Sequence, residues 1–408
     1  MRSSATFSPL AHRTFALILG GALLANFGNQ IQAVGASWLL TESGAPADVI
    51  ALAQTATNLP IMLLALPAGA WADMFDRRRI MLAALAAMLL LSVVLAGLDL
   101  AGLAPAAAII ALTALLACGI ACFAPAMAGS IGGVVPRAEL SAAVSLNIVG
   151  FNLARSLGPA AGGAIVAVGG PAAAFVINAL SYLLAIGVFW HWRGLPAPPR
   201  EQRRALHIVI GEGLRYAFAS RPIRTIMLRA FTFTATGAAA WALMPLVSAE
   251  LLNRGSAVYG LLLGALGLGA VIGAATSTAI RARFSAEAIT RAAGVTYGLS
   301  CAILALEPGL PAMLALLVVA GAGWVQALSG FSVAGQLLAP RELVGRITAM
   351  VSSLTFGGIA LGSWLWGHFA ETYGVAAALM ASGGGMIVLP LIGLLLPMPA
   401  HEAPQPVG

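Results

Sequence analysis

Apolar stretches of about 20 residues follow one another along almost the whole chain, and they limit its fold more than any other feature. The stretch from residue 80 to residue 98, for example, contains no charged side chain. A helix rises about 1.5 Å per residue, so about 20 such residues cross roughly 30 Å of hydrocarbon. The stretches lack the alternation of a barrel strand, and only 9% of the 408 residues are charged. These features predict an all-α polytopic membrane protein.

The stretches divide the chain into twelve predicted transmembrane helices, which we number span 1 to span 12. Their predicted ranges are 14–40, 49–72, 78–98, 104–128, 141–168, 172–192, 223–250, 257–280, 286–306, 311–335, 343–369 and 374–397. Residues 1–192 then form an N-terminal six-helix half and residues 223–397 a C-terminal six-helix half. Residues 398–408 are Pro-rich and are predicted to be a disordered tail.

The hydrophilic segment 193–222 is predicted to link the two halves. It begins rich in proline and arginine, and then Leu206, Ile210, Leu214 and Phe218 repeat at helical spacing. Such a pattern is typical of an amphipathic helix that lies flat on a membrane surface. We therefore expect a surface helix in the linker.

The basic residues predict the orientation of the chain. All 21 are arginines. If the N-terminus is cytoplasmic, only Arg254 falls outside and only Arg155 lies near the middle of a span, so the other 19 arginines lie on or towards the cytoplasmic side. This matches the positive-inside rule and predicts that both termini are cytoplasmic. The net charge of +7 is dispersed among the span ends, so nucleic acid is not an expected partner.

The chain also carries an internal repeat. A shift of 204 residues aligns glycines, prolines and arginines of the first half with identical residues of the second: Gly69 with Gly273, Arg77 with Arg281, Pro136 with Pro340, Gly158 with Gly362 and Gly163 with Gly367. The same shift brings Ser277 to the position of Asp73. The repeat predicts two six-helix pseudo-repeats related by duplication.

Four residues between spans 2 and 3 stand at a fixed spacing: Gly69, Asp73, Arg77 and Arg78. An acid at the end of one span can attract an arginine at the start of the next and tie the two helices together. The set resembles the signature G-x-x-x-D-x-x-x-R-[RK] of the major facilitator superfamily, although Asp76 stands where that pattern commonly has glycine. Topogenic positive charge alone would also explain the arginines.

Longer stretches narrow the resemblance. VPRAELSAAVSLNIVGFNLARSLGPAAGG and VGRITAMVSSLTFGGIALGSWLWG are similar to the branch that contains the bacterial enterobactin exporter and related efflux proteins. The resemblance implies an alternating-access transporter of the bacterial inner membrane, usually a monomer, with cargo bound between the halves. It also implies a cytoplasmic gate, in which Asp73 meets the positive end of span 11 when the cavity faces outward.

Span 5 contains Gly158, Pro159, Gly162 and Gly163, which resemble the antiporter pattern G-P-x-x-G-G of the superfamily. Small residues allow helices to approach closely, and a proline bends a helix. Such glycines also serve packing alone, but the register of the motif favours export over uptake. Arg155 lies on the same face. Inserting an arginine near the centre of a membrane helix costs roughly 2.5 to 3.5 kcal/mol. It could bind an anionic group of the cargo or stabilise the bend.

Polar residues on several spans form a predicted substrate cavity. Each of them alone is more often an interhelical hydrogen bond than a ligand contact, but together they outline a polar interior: Asn26, Gln30, Gln54, Asn58, Asn152, Arg155, Trp241 and Gln326.

The sequence therefore predicts a secondary active exporter of an amphipathic small molecule, similar to a siderophore or a drug. Proton-coupled antiport follows from the resemblance only, because no Asp, Glu or His falls near the middle of a predicted span. An uptake permease of the same fold and a lipid translocase remain alternatives. The chain has no phosphate-binding P-loop and no zinc-type histidine spacing, so we predict no enzymatic activity, cofactor or metal. The expected partners are the cargo, the bilayer and protons.

Overall fold

The computed structural model describes residues 7–192, 206–340, 343–389 and 396–398. These residues are almost entirely helical and contain no strand. Among them, eight helices are long and apolar enough to cross a membrane. Seven are single spans: Arg13–Glu42 (span 1), Ala47–Met74 (span 2), Arg77–Leu100 (span 3), Ala106–Ile131 (span 4), Ser256–Arg281 (span 8), Leu310–Leu338 (span 10) and Val344–Tyr373 (span 11).

The eighth helix, Leu140–His191, contains two spans. Gly170 interrupts it with φ 72° and ψ 176°, a backbone conformation that glycine adopts without steric cost. Residues 140–169 form span 5 and residues 171–191 form span 6. The predicted boundary between these spans is therefore correct to within a few residues.

Spans 7, 9 and 12 are shorter or broken. Span 9 is Ala286–Leu304, and the described part of span 12 is Val375–Val388. Span 7 begins as Arg221–Gly237 and continues in short pieces to a π-helical turn that ends at Leu251. Each predicted span thus corresponds to helix in the described residues, which confirms the predicted all-α fold.

Where span 7 breaks, side chains from other spans donate hydrogen bonds to its backbone carbonyl oxygens. The hydroxyl of Tyr297 donates to the carbonyl oxygen of Gly237 at 2.6 Å, and the hydroxyl of Ser382 donates to that of Thr236 at 2.6 Å. The indole N–H of Trp366 donates to the carbonyl of Ala235 at 3.0 Å. Carbonyls released by a broken helix need such partners, because hydrocarbon offers none. The break is therefore held in place by spans 9, 11 and 12.

The two halves repeat the same internal contacts. Gly158 of span 5 packs against Gln30 of span 1, and its counterpart Gly362 of span 11 packs against Ala235 of span 7. The pair Gln30 and Ala235 is itself separated by almost the repeat length of the sequence. The duplication is therefore present in the packing, as the two predicted pseudo-repeats require.

The linker contains the predicted helix, Leu206–Ala219, which contacts spans 2, 7 and 11. Leu214 and Phe218 of its apolar face are exposed, whereas the side chains of Leu206 and Ile210 lie outside the described residues. Residues 193–205, at the start of the linker, also lie outside the described residues, so the proposed division of the chain there stays a prediction.

Of the predicted disordered tail, 398–408, only Met398 is described. Its side chain is buried and its backbone N–H donates to the carboxylate of Glu287 at 2.9 Å. Residues 399–408 lie outside the described residues.

Candidate functional site: a cavity between the two halves

A cavity of about 1230 Å³ lies between the two bundles of spans. Its lining extends from Trp241 and Tyr259 to Asp73 and Arg346. The last two residues lie at the ends of spans 2 and 11 where most arginines of the connections also lie, and we call this the arginine-rich side. The cavity opens on the arginine-rich side. The opposite end of the molecule is called the far side.

Spans 5 and 8 close the far side with a contact between glycines. A β-carbon at Gly163 would lie 2.6 Å from the α-carbon of Gly260, so no larger residue fits without separating the two helices. One to two turns deeper in the bundle, the hydroxyl of Ser156 donates to the carbonyl oxygen of Gly267 at 2.7 Å. Small residues thus allow the two bundles to touch backbone to backbone.

Spans 2 and 11 close the far side in the same way. A β-carbon at Gly367 would lie 3.0 Å from the α-carbon of Asp48. The backbone N–H of Ala47, at the beginning of span 2, donates to the carboxylate of Glu371 at 2.6 Å. Further in, the hydroxyl of Thr55 donates to the carbonyl oxygen of Ala360 at 2.8 Å. The bundles therefore touch from the far side to the middle and separate towards the arginine-rich side.

Arg155 and Trp241 meet at the head of the cavity. The guanidinium carbon of Arg155 lies 5.1 Å from the centre of the Trp241 ring, which is a cation–π distance. Arg155 belongs to span 5 and Trp241 to the broken span 7, so this contact joins the two bundles. The ring of Trp324 packs behind Trp241, with 6.2 Å between the ring centres.

Six of the predicted cavity residues line the cavity: Asn26, Gln30, Gln54, Asn58, Arg155 and Trp241. Two do not. Gln326 is buried between spans 8 and 10, where its amide donates to the carbonyl oxygen of Gly273 at 2.9 Å. Asn152 is half-buried outside the lining, one turn from Arg155 on the same helix.

Several lining residues were not predicted. Tyr259 and Trp324 contribute aromatic surface, and Thr57, Thr348 and Ser352 contribute hydroxyls. Serine, threonine and aromatic residues are frequent at helix contacts in any membrane bundle, so no sequence signal separates these from the others. Asn29 shares the face of Asn26 and lines the cavity, but its amide oxygen also accepts a hydrogen bond from the hydroxyl of Tyr182.

Two of the four residues of the predicted gate, Gly69 and Asp73, line the mouth of the cavity. Asp73 lines the mouth, and its carboxylate lies 3.5 Å from the guanidinium of Arg77. The side chain of Asp73 is 80% exposed, so this ion pair contributes little stability. Gly69 lines the mouth one turn before Asp73, and a β-carbon there would meet no atom within 4 Å.

The two arginines tie span 3 to its neighbours. Arg77 donates to the carbonyl of Gly129 on span 4, and Arg78 donates to the carbonyls of Phe189 at 3.0 Å and Trp190 at 2.6 Å on span 6. In the second half Arg281 donates to Ser277 at 2.8 Å, so a neutral hydroxyl occupies the position of the Asp73 carboxylate.

Asp76, where the signature commonly has glycine, has a local role. Its carboxylate accepts the backbone N–H groups of Arg78 at 2.9 Å and Arg79 at 3.3 Å. It is therefore the N-cap of span 3, a position for which aspartate is among the preferred residues.

The four motif residues of span 5 contact two different helices. Gly158 and Gly162 pack against Gln30 and Ile31 of span 1, whereas Gly163 packs against span 8. Pro159 lines the cavity. The motif therefore fixes span 5 against its own bundle and against the opposite bundle at once.

The structure has a large cavity between two pseudo-symmetric bundles, and comparisons with known proteins show which family has this architecture. The profile of the transmembrane secretion effector family matches residues 4–407. The chain belongs to this family of the major facilitator superfamily. It is a transporter and not an enzyme. In the described part of the chain, no group of three or more His, Cys, Asp or Glu side chains could hold a metal ion.

Similar proteins fall into the efflux group. The multidrug efflux pump Tap of Mycolicibacterium fortuitum is 29% identical over 406 residues, which cover 93% of this chain and 95% of Tap. The enterobactin exporter EntS of Citrobacter koseri is 24% identical over 353 residues, which cover 85% of this chain and 83% of EntS. Among solved structures, the nucleoside transporter NupG superposes with a TM-score of 0.76 at 11% identity, covering 94% of this chain and 98% of that chain. This transporter is therefore an integral membrane protein, and the two relatives named here are efflux proteins.

Proposed function

We propose that this transporter exports an amphipathic small molecule, similar to a siderophore or a drug, by alternating access. The arginine-rich side is then cytoplasmic, both termini lie in the cytoplasm, and the protein acts as a monomer in the inner membrane of a bacterium. The positive-inside rule supports this orientation. The similarity to Tap and EntS supports export.

One observation carries the proposal: the cavity is open on the arginine-rich side and closed on the far side by contacts that small residues make possible. Gly163 against Gly260 and Gly367 against Ala51 join the bundles without interlocking side chains. A contact of this kind separates without dragging large side chains past each other. An exporter must open there to release its cargo, and rocking of one bundle against the other would achieve it.

Asp73 and its neighbours act as the cytoplasmic gate in this proposal. When the cavity opens on the far side, spans 2 and 11 approach each other on the arginine-rich side, and Asp73 meets the positive N-terminus of span 11 near Val344. A charged contact made in one state only shifts the equilibrium between states. Arg77 and Arg78 keep spans 2 and 3 aligned with spans 4 and 6. Ser277 carries no charge, so the gate is asymmetric.

We further propose that export is coupled to the entry of protons. Among the described residues that line the cavity, Asp73 is the only carboxylate. On the far side, Glu371 accepts the N–H of Ala47 across the two bundles. Both carboxylates are placed to change their surroundings between the two states, which is what an antiported proton requires. Antiport is also supported by the span 5 motif, which is in register with the antiporter pattern: Gly158, Pro159, Gly162 and Gly163.

The walls of the cavity keep a second cargo class open. Most of the lining is apolar, with residues such as Ile61, Leu66 and Phe356, which also suits the acyl chains of a lipid. A lipid translocase would leave its substrate in the membrane, whereas an exporter of soluble cargo would move it from one aqueous compartment to the other. An uptake permease would differ only in direction.

Transport into inverted membrane vesicles tests the proposal. A small panel of siderophores and amphipathic drugs is presented with and without an imposed pH gradient, and vesicles without the protein serve as the control. Saturable accumulation that depends on the gradient and on the protein is expected. Accumulation only in right-side-out vesicles would indicate uptake, and non-saturable movement without a gradient would contradict coupled export.

A further inference from the structure

The deep part of the cavity carries a single charge. The charged side chains of the lining are Asp73, Arg155 and Arg346. Asp73 and Arg346 lie at the mouth, at the ends of spans 2 and 11, and Asp73 has Arg77 as a neighbour at 3.5 Å. Only Arg155 lies at the head of the cavity, next to Trp241. The electrostatic potential at the head of the cavity is therefore positive.

Arg155 has no hydrogen-bond acceptor and no counter-ion among the described residues. The one electrostatic contact of its guanidinium among these residues is the cation–π contact with the ring of Trp241. A guanidinium has five N–H donors, and within a membrane these donors are costly unless acceptors satisfy them. If Arg155 stabilised the bend of span 5, its side chain would donate to carbonyls released near Pro159, and no such bond is present. The arrangement leaves the donors for a ligand.

Trp241 determines how these donors are presented. An aromatic ring beneath a guanidinium restrains its plane and leaves the N–H groups at the edge free, and such an edge matches a carboxylate with two parallel hydrogen bonds. Trp324 and Tyr259 add aromatic surface beside this site. Because Arg155 comes from one bundle and Trp241 from the other, a ligand bound here contacts both halves of the transporter.

We propose that the cargo carries an anionic group, which binds to Arg155, on an aromatic body that packs against Trp241, Trp324 and Tyr259. This inference rests on the proposed export and adds the chemical class of the cargo, an amphipathic organic anion. A cation of the same shape is disfavoured, because no carboxylate of the described lining lies near the head of the cavity to balance it.

Equilibrium binding to the purified transporter in a neutral detergent tests the proposal. Three probes share one aromatic body and differ in charge: 1-pyrenebutyrate, 1-pyrenebutyramide and 1-pyrenebutylamine. Energy transfer from the eight tryptophans of the chain to pyrene reports binding of each probe to the protein. A hydrogen bond to a charged group corresponds to about tenfold or more in affinity. The carboxylate should therefore bind about tenfold more tightly than the amide, and the amine more weakly than both.

The variants assign this preference to Arg155. Arg155→Gln should bind carboxylate and amide equally, whereas Arg155→Lys, which keeps the charge, should retain part of the preference. Arg254→Gln is the matched control, because it removes the same charge from an exposed position on the far side. Each variant is first checked for a single symmetric peak in size-exclusion chromatography. If Arg155→Gln does not pass, Arg155→Lys and the wild type still decide.

Equal affinity of the wild type for the three probes would overturn the proposal, and so would a preference for the amine or a preference that survives in Arg155→Gln. These measurements need no gradient and no transport, so their failure leaves the export proposal standing. Conversely, Arg155-dependent binding without any transport in vesicles would remove export and keep the anion site. Phosphatidylglycerol is then added to the detergent, and detergent without it is the control. Displacement of the carboxylate probe only by the added lipid would identify an anionic lipid as the cargo whose charge Arg155 binds.

Discussion

A single methyl group on span 5 should shift the balance between the two states of the transporter. A β-carbon at Gly163 would lie 2.6 Å from the α-carbon of Gly260 and 2.5 Å from the carbonyl oxygen of Ser256, whereas ordinary contacts begin at 3.4 Å. Gly163→Ala therefore requires spans 5 and 8 to separate by about 1 Å. The backbone atoms on the opposite side cannot rotate away as a flexible side chain would.

The size of the shift follows from the cost of overpacking, about 1 to 3 kcal/mol for an added methyl group in a close contact. The penalty applies only while the far side is closed. It should therefore favour the state with an open far side by roughly 5- to 150-fold. A matched control is Gly187→Ala in span 6, because a β-carbon at Gly187 meets no atom within 4 Å.

Cysteine accessibility measures this shift. In a background without Cys118, Cys122 and Cys301, a cysteine replaces Ser37, which is buried and lines the cavity. A membrane-impermeant maleimide is then applied from the far side. Labelling should be faster in Gly163→Ala than in the parent, and unchanged in the Gly187→Ala control. Unchanged labelling in a well-expressed Gly163→Ala protein would refute the closing role of this contact.

Three further changes test other parts of the molecule. Asp73→Asn should slow transport without lowering the thermal stability of the protein in detergent, whereas Ser277→Ala should have a much smaller effect; equal transport rates for the two variants would remove the asymmetric gate. Glu371→Ala removes the acceptor for the first N–H of span 2, a charged hydrogen bond of about 1.5 to 3 kcal/mol. Labelling of the cysteine at position 37 from the far side should therefore become about tenfold faster or more. An unchanged labelling rate would count against a closing role for this contact. Glu287→Gln leaves the buried guanidinium of Arg229 without its ion pair, so the free energy of unfolding should fall by about 3 kcal/mol, and an unchanged melting temperature would show that the pair is dispensable.

The spans and their duplication were predictable because they depend on local properties of the chain. An apolar run of about 20 residues is a spanning helix wherever it occurs, since hydrocarbon leaves the backbone no other partner. The repeat from Gly158 to Gly362 was visible for a similar reason. Both glycines occupy positions where a neighbouring helix approaches closely, and no other residue fits there.

The faces of the helices were harder to predict. Span 10 is apolar on most of its surface, so the sequence does not indicate which side faces lipid, which side faces another helix and which side faces the cavity. Gln326 was assigned to the cavity on its polarity alone, but the packing of span 10 on span 8 turns it towards Gly273. Trp241 does reach the cavity, in a segment where span 7 is broken and side chains from three other spans hold the backbone.

The sequence by itself determined that this chain is a helical membrane protein with two related halves and an arginine-rich side. It also showed that the motif between spans 2 and 3 keeps its acid in one half only. These properties depend on hydropathy, charge and spacing, which are written along the chain. The tertiary structure decided which side of the cavity is open, which polar residues line it, and that Arg155 meets Trp241 from the opposite bundle without an acceptor of its own. Those properties depend on contacts between helices that are far apart in sequence, and no local pattern determines them.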